Sequence, residues 1–282
     1  MNIDAHVHYW QLARGDYDWL TPGSPLYRDF GPTDAAPCLD AAGIDGVVLV
    51  QAAATHAETE FLLAHADADP RILGVVGWLD MMADDAPARL ATLAGHRKLR
   101  AIRPMWQDIA DDDWLLHPKQ TRAYEAIIDH SLAFDALARL RHLPNLLRLI
   151  DRHPALPIVI DHAAKPDIAG GGLASWRDLL RPLAAIPHVH CKLSGLLTEA
   201  APGATLETIL PYAETVFDLF GPDRLIFGSD WPVLTLRRDY ATWWRWAHDL
   251  TRPLGPAAQS AIFGANAARF YHLDPLHAQS AS

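Results

Sequence analysis

The sequence predicts an α/β fold, a single-domain (β/α)8 TIM barrel over residues 1–282. Short apolar, β-branched runs alternate with helical patterns along the chain, and that alternation implies a parallel sheet. Eight such units in roughly 250 residues match the usual size of a closed barrel. No glycine-rich phosphate turn follows the first run, so an open doubly wound sheet lacks its usual signature. Internal repeats, low-complexity tracts and linkers are absent from the sequence.

The elements follow in order. The opening strand is MNIDAHVH, residues 1–8, and GVVLVQA at 46–52 is the second, followed by a helix over 58–68. ILGVVGWL at 72–79 is the third strand; Asp84 and Pro87 then mark a helix start ahead of 88–93. LRAIRPM at 99–105 reads as strand four, and SLAFD at 131–135 as a weaker strand five before a helix at 145–152. IVIDH at 158–162, VHCKL at 189–193 and LIFGSD at 225–230 complete the strands. Their helices are expected at 179–185, 206–220 and 240–250, and a last one at 256–271 closes the chain; the glycines at 170–172 form only a loop.

Composition sets limits on function. Half of the residues are hydrophobic, enough for a sizeable core, and the net charge is 24 − 34 = −10. No basic block offers itself to phosphates, which argues against a nucleic-acid partner. No apolar run approaches a membrane span, and Met1 leads directly into a strand rather than a signal segment. Cys38 and Cys191 are too few for a disulfide framework, so a cytoplasmic location is expected. The unusual counts are 15 His and 10 Trp, which direct attention to imidazole chemistry and aromatic walls.

Asp4, His6 and His8 alternate along the first strand, so they are expected on one face, with Ile3, Ala5 and Val7 on the other. Further polar residues end other strands. Arg103 precedes Trp106 and Gln107 after strand four, and Asp135 ends strand five. His162 ends strand six, Lys192 and Ser194 strand seven, and Asp230 strand eight, with Trp231 and Pro232 next. In a barrel these ends meet at one mouth. Packing alone does not explain such a gathering, because unpartnered ionisable groups are costly to bury.

DAHVH on strand one, IDHAAKP at strand six and FGSDWP at strand eight resemble the amidohydrolase superfamily. More narrowly, they resemble its sugar-lactonase branch, over almost the whole chain from Ile3 to Tyr271. The resemblance implies hydrolysis of a cyclic ester at a site built from His6, His8, His162 and Asp230. Binuclear members add a bridging carboxylated Lys or a Glu on strand four or five and a His on strand five. Here those strands offer Arg103 and Asp135, which argues against two metals. His6, His8, His162 and Asp230 could together hold a single divalent ion, for which three imidazoles and a carboxylate suit Zn²⁺. The branch also includes pyrone dicarboxylate lactonases regarded as metal-free, so the ion is expected to be dispensable for turnover.

Chemistry assigns the roles. Asp230 suits the general base that takes a proton from water and passes it to the departing ring oxygen. The imidazoles, and Lys192 with them, could hold the charge building on the carbonyl oxygen. Arg103, Trp106, Lys192 and Trp231 are the candidate substrate contacts. Tyr9, Trp10, Tyr17 and Trp19, in the loop after strand one, add aromatic surface suited to a sugar ring. One Arg at a strand end, with Arg14 and Arg237 only in loops, favours a neutral hydroxylated lactone over a dicarboxylate or sulfonate. The competing enzyme reading is a non-oxidative decarboxylase of the same superfamily, and the non-enzymatic one is a ligand-binding barrel.

Several residues have plainer readings. Arg103, Lys192 and Lys165 could serve only as ion-pair partners, and Asp135 could support a neighbour or cap a helix. Asp230 could equally be a helix cap. His142, His153 and His188, beside Pro-containing turns, are expected in solvent, as is the acidic run at 111–113. Trp243, Trp244 and Trp246 are expected to pack in the outer helical ring.

Overall fold

The computed structural model describes residues 1–273. Eight strands pair in chain order, all parallel: β1 (Ile3–Val7), β2 (Gly46–Val50), β3 (Ile72–Gly77), β4 (Leu99–Ile102), β5 (Ala133–Ala136), β6 (Ile158–Ile160), β7 (Val189–Leu193) and β8 (Leu225–Phe227). Backbone bonds beyond β8 close the ring. Asp230 N–H donates to the His6 carbonyl at 2.9 Å, and His8 N–H donates to the Trp231 carbonyl at 2.8 Å. The (β/α)8 barrel is therefore the fold.

Helices cover the outside. His56–Ala68 starts where the Thr55 hydroxyl accepts the Glu58 N–H at 3.1 Å, and Tyr240–Thr251 where Asp239 accepts the Thr242 N–H at 2.6 Å. Two helices come in addition to those expected. Pro32–Ala41 buries only Ala35 and Leu39 and carries Pro37, so it has almost no apolar stripe to read. Thr121–Asp129 does present a stripe, of Ala123, Tyr124, Ala126 and Ile127. The expected C-terminal helix divides into Pro256–Ser260, a π-turn at Ala261–Ala265, and Asn266–Phe270.

Two buried layers result. Val47, Leu49, Val75, Phe134, Ile158 and Phe227 pack outward among helix residues such as Leu62, Leu90 and Trp243. A second cluster joins Ile3, Ala5, Val48, Val76, Val159 and Ile226 to Phe270, Tyr271 and Leu273. That second cluster is the barrel interior, with the C-terminal turn inserted beneath it. Polar residues at the opposite end of the strands therefore rest on a dry floor, and they lie on the side where barrels of this kind carry their sites.

β1 departs from simple alternation. Its register against β2 runs Asp4↔Val47 and then Val7↔Leu49, so one extra residue forms a bulge. Ile3 and Ala5 face the interior, and the bulge keeps His6 and His8 inside while Val7 packs outward. Asp4 is thereby turned away from the two histidines, contrary to the expectation that all three share a face. It is fully buried on the outer side, accepting bonds from Ser229 N–H (2.8 Å) and the Tyr240 hydroxyl (2.9 Å). Burial pushes its carboxyl up to about 6 against the pull of these bonds. Asp4 ties β1 to the segment after β8 and leaves the chemistry to its neighbours.

Candidate active site

Three imidazoles converge on one carboxylate oxygen. Asp230 Oδ1 lies 3.3 Å from His8 Nε2, 3.8 Å from His6 Nε2 and 3.8 Å from His162 Nε2. Asp230 sits three residues beyond β8 with φ of 62°, and its carboxylate faces the imidazoles rather than a helix end. Gly228 permits the approach, since a Cβ there would stand 2.6 Å from the His6 Cβ.

His162 depends on an unusual turn. His162, Ala163, Ala164 and Lys165 all have φ between 50° and 60°, a left-handed run without glycine. Such residues cost roughly 1–2 kcal/mol each, a strain concentrated at sites where position matters. The turn breaks the strand alternation, so Asp161 and His162 both reach the interior. Gly195 packs against the imidazole; a Cβ there would meet the ring at 2.6 Å. His162 Nδ1 lies 2.9 Å from Ser194 Oγ, which fixes the ring's rotation.

A buried charge cluster lies beneath. The Lys192 ammonium donates to Asp135 Oδ2 at 2.6 Å and lies 3.1 Å from His6 Nδ1, and it forms an ion pair with Asp161 Oδ1 at 3.0 Å. The Tyr271 hydroxyl also donates to Asp135 Oδ2, at 2.8 Å. Arg103 NH1 lies 3.3 Å from Asp161 Oδ2 and 3.4 Å from His6 Nε2, and its NH2 donates to the Gln51 carbonyl. Asp135 therefore supports Lys192 and caps no helix.

Electrostatics follow from this packing. Burial alone would raise the Asp230 carboxyl, but His162, His8 and His6 outweigh it and hold the group well below the usual carboxylate range. Burial, reinforced by the Lys192 charge, holds His6 well below the ordinary histidine value. Burial likewise takes His162 down to about 4, with Asp230 pulling the other way. Asp161 is held low by Lys192, His6 and Arg103 despite its burial. The site at neutral pH thus pairs an ionised Asp230 with neutral imidazoles at His6 and His162.

The donor set suits one divalent ion. A tetrahedral Zn²⁺ with bonds of roughly 2.0–2.1 Å has its ligands about 3.3–3.4 Å apart, close to the separations around Asp230. His8 Nδ1 donates to the Val50 carbonyl at 2.7 Å, so Nε2 is the ring nitrogen that faces Asp230. Two groups bring their ligand atoms close enough to share one ion: His6, His8 and Asp230, and His6, Asp161 and His162. His6 belongs to both groups, and Lys192 lies 3.1 Å from its Nδ1. Between Asp135 and Asp161 the ammonium of Lys192 already fills the place of a second cation.

Above these groups opens a cavity of about 200 Å³, lined by His8, Arg103, His162 and Asp230 together with Trp19, Gln107 and Lys165. This is smaller than a drug-sized pocket and suits one ring. Three expected substrate contacts lie behind its wall. Lys192 is fully buried in the charge cluster. Trp106 is buried and stacks on His142 at 4.4 Å, and Trp231 is buried edge-on to Tyr9 and Phe30. Of the four, only Arg103 lines the cavity. His142 is likewise a buried packing residue, accepting the Arg139 N–H at 3.1 Å, rather than a solvated one.

Sequence reasoning passed over Asp161, whose signal was its place beside His162 at a strand end. It also passed over Tyr271 and Gln51, for which no local signal exists. Lys165 lines the cavity and pairs with Glu199 at 3.7 Å.

A parallel eight-stranded barrel carrying two histidines on its first strand, one after the sixth and an aspartate after the eighth defines a class of hydrolytic barrels. The chain belongs to the amidohydrolase family, whose profile matches residues 3–273. It is 48% identical over 277 residues to the L-fucono-1,5-lactonase of Burkholderia ambifaria, covering 96% of each chain. It is 38% identical over 289 residues to the L-fucono-1,5-lactonase of Burkholderia multivorans, covering 97% of this chain and 96% of that one. A crystal structure of a Burkholderia multivorans amidohydrolase with bound zinc superposes with a TM-score of 0.92 at 38% identity, covering 97% of this chain and 100% of that one.

Proposed function

We propose that the protein is a sugar lactonase that opens the ring ester of a neutral sugar 1,5-lactone, with L-fucono-1,5-lactone as the first candidate. The observation that carries this reading is the convergence of three imidazole nitrogens on Asp230 Oδ1 at the floor of a ring-sized cavity. Identity to lactonases over nearly the full chain supports it.

The chain's own groups account for the steps. Asp230 accepts a proton from the attacking water and returns it to the ring oxygen as the C–O bond breaks. Its depressed proton affinity keeps it ionised at neutral pH. Arg103 lines the cavity and is the donor for the carbonyl oxygen. A good donor of this type contributes roughly 3–4 kcal/mol. A zinc ion, when bound by His6, His8 and Asp230, would add Lewis-acid polarisation of the carbonyl.

The reading is tested by a pH-indicator screen of sugar lactones, since each turnover releases a proton. Release of carbon dioxide from an aromatic acid instead of a ring-opened product would establish the decarboxylase. For the metal, elemental analysis should find at most one divalent ion per chain, and turnover should persist after exhaustive chelation. Two tightly held metals per chain would contradict the account of Lys192. Arg103→Met should lower kcat/KM by roughly 10²–10³-fold, the worth of a donor to the developing oxyanion. Unchanged kinetics would make Arg103 a purely structural partner of Asp161.

Free Cys38 and Cys191 suit a cytoplasmic enzyme of carbohydrate metabolism. Among the described residues no helix is long and apolar enough to cross a membrane.

A further inference from the structure

Trp19 combines two properties that rarely occur together. It is 41% exposed, yet its position is fixed. The indole N–H donates to the Ala52 carbonyl at 2.8 Å, and the ring meets Trp10 edge-to-face at 5.3 Å and 84°. The loop that carries it is fastened to the next barrel unit. Tyr17 donates its hydroxyl to the buried Glu58 at 2.6 Å, and the Thr55 hydroxyl donates to Asp16 at 2.7 Å. Glu58 also accepts the Ala52 N–H at 2.8 Å, so one buried carboxylate anchors both the loop and the strand end to which Trp19 is bonded.

An exposed aromatic on a mobile loop would need no explanation. Here the indole N–H is committed to Ala52 and the ring stands nearly perpendicular to Trp10, and the residue lines the same cavity as Asp230. Such a surface is already ordered before a ligand arrives, so binding to it costs little side-chain entropy. Gln107 and Lys165 line that cavity as well and supply polar groups. A sugar lactone matches this pairing: one ring face presents C–H groups, whose partial positive charge suits the negative π face, and the edge presents hydroxyls.

We propose that Trp19 is the specificity-determining platform of the site, on which the C–H face of a pyranose-sized lactone stacks. The inference rests on the lactonase reading and deepens it. An axial hydroxyl pointing at the indole would hold the ring off, so Trp19 selects among epimers by the face they can present. Asp230 and the imidazoles supply the chemistry whichever epimer is bound.

The test is steady-state hydrolysis of a panel of epimeric hexono-1,5-lactones by the wild-type protein, Trp19→Ala and Trp19→Met. The wild-type protein should prefer some epimers. In Trp19→Ala the KM of the best epimer should rise about three- to tenfold, with the larger share of the loss in KM rather than kcat, and the best-to-worst ratio should shrink. Trp19→Met keeps apolar bulk without a flat face and should behave like Ala; it decides the matter if Trp19→Ala does not fold. An unchanged epimer ratio overturns the proposal, whether activity is retained or falls equally on every epimer. A wild-type protein that opens none of these lactones would overturn the lactonase reading itself, and the platform with it.

Discussion

Asp230→Asn should lower lactone turnover by about 10²–10⁴-fold, the contribution of a positioned general base. The substitution preserves size and most hydrogen bonding. What it removes is the carboxylate that takes the water proton, at the one point where His6, His8 and His162 all converge. A residue that only capped the following turn would behave differently, because Asn caps about as well as Asp. Fold loss is controlled for by the thermal transition, since the backbone bond from Asp230 N–H to His6 does not depend on the side chain. Near-normal hydrolysis by a folded Asp230→Asn protein would remove Asp230 from the reaction and return the search for a base to the imidazoles. Zinc binding would weaken in the same variant, so the kinetics should be compared on chelated proteins.

The barrel was legible in the sequence because its signals are local. Each strand is a compact apolar run, and polar residues at strand ends stand out against such runs, so His6, His8, His162 and Asp230 could be gathered before any coordinates. The orientation of Asp4 was not legible. A bulge inserts one residue in register and reverses the face of everything before it, and no composition marks its place. Asp161 shows the same limit: it flanks His162, and only a left-handed turn without glycine brings both inward. The burial of three candidate substrate contacts was not legible for another reason. Chain neighbours of a site residue, such as Trp106 and Trp231, were placed at the mouth by proximity in sequence, but large aromatic side chains reach back into the packing between loops and helices.

The buried cluster makes the largest stability prediction. Lys192→Met should destabilise the protein by about 3–5 kcal/mol, because removing one partner strands the other charges without solvent. The ammonium faces Asp135 at 2.6 Å and Asp161 at 3.0 Å, and all three side chains are fully buried. Arg103 would still hold Asp161, and Tyr271 would still donate to Asp135, so the loss should centre on Asp135. The thermal midpoint should fall on the order of 10 °C. The pH dependence gives the loss its signature. Burial already raises the Asp135 carboxyl to about 6 while Lys192 opposes the shift, and removing Lys192 must raise it further. A carboxyl whose folded value lies above its unfolded value near 4 favours the folded state when protonated and loses that contribution as pH rises. The deficit of Lys192→Met should therefore be smallest near pH 4 and grow through pH 6 and above. Adding Asp135→Asn removes the stranded charge, so the double variant should recover stability at neutral pH and lose most of the pH dependence. Equal stability of Lys192→Met and wild type across this range would show that Lys192 is not the counter-charge that keeps the carboxylates ionised beneath the histidines.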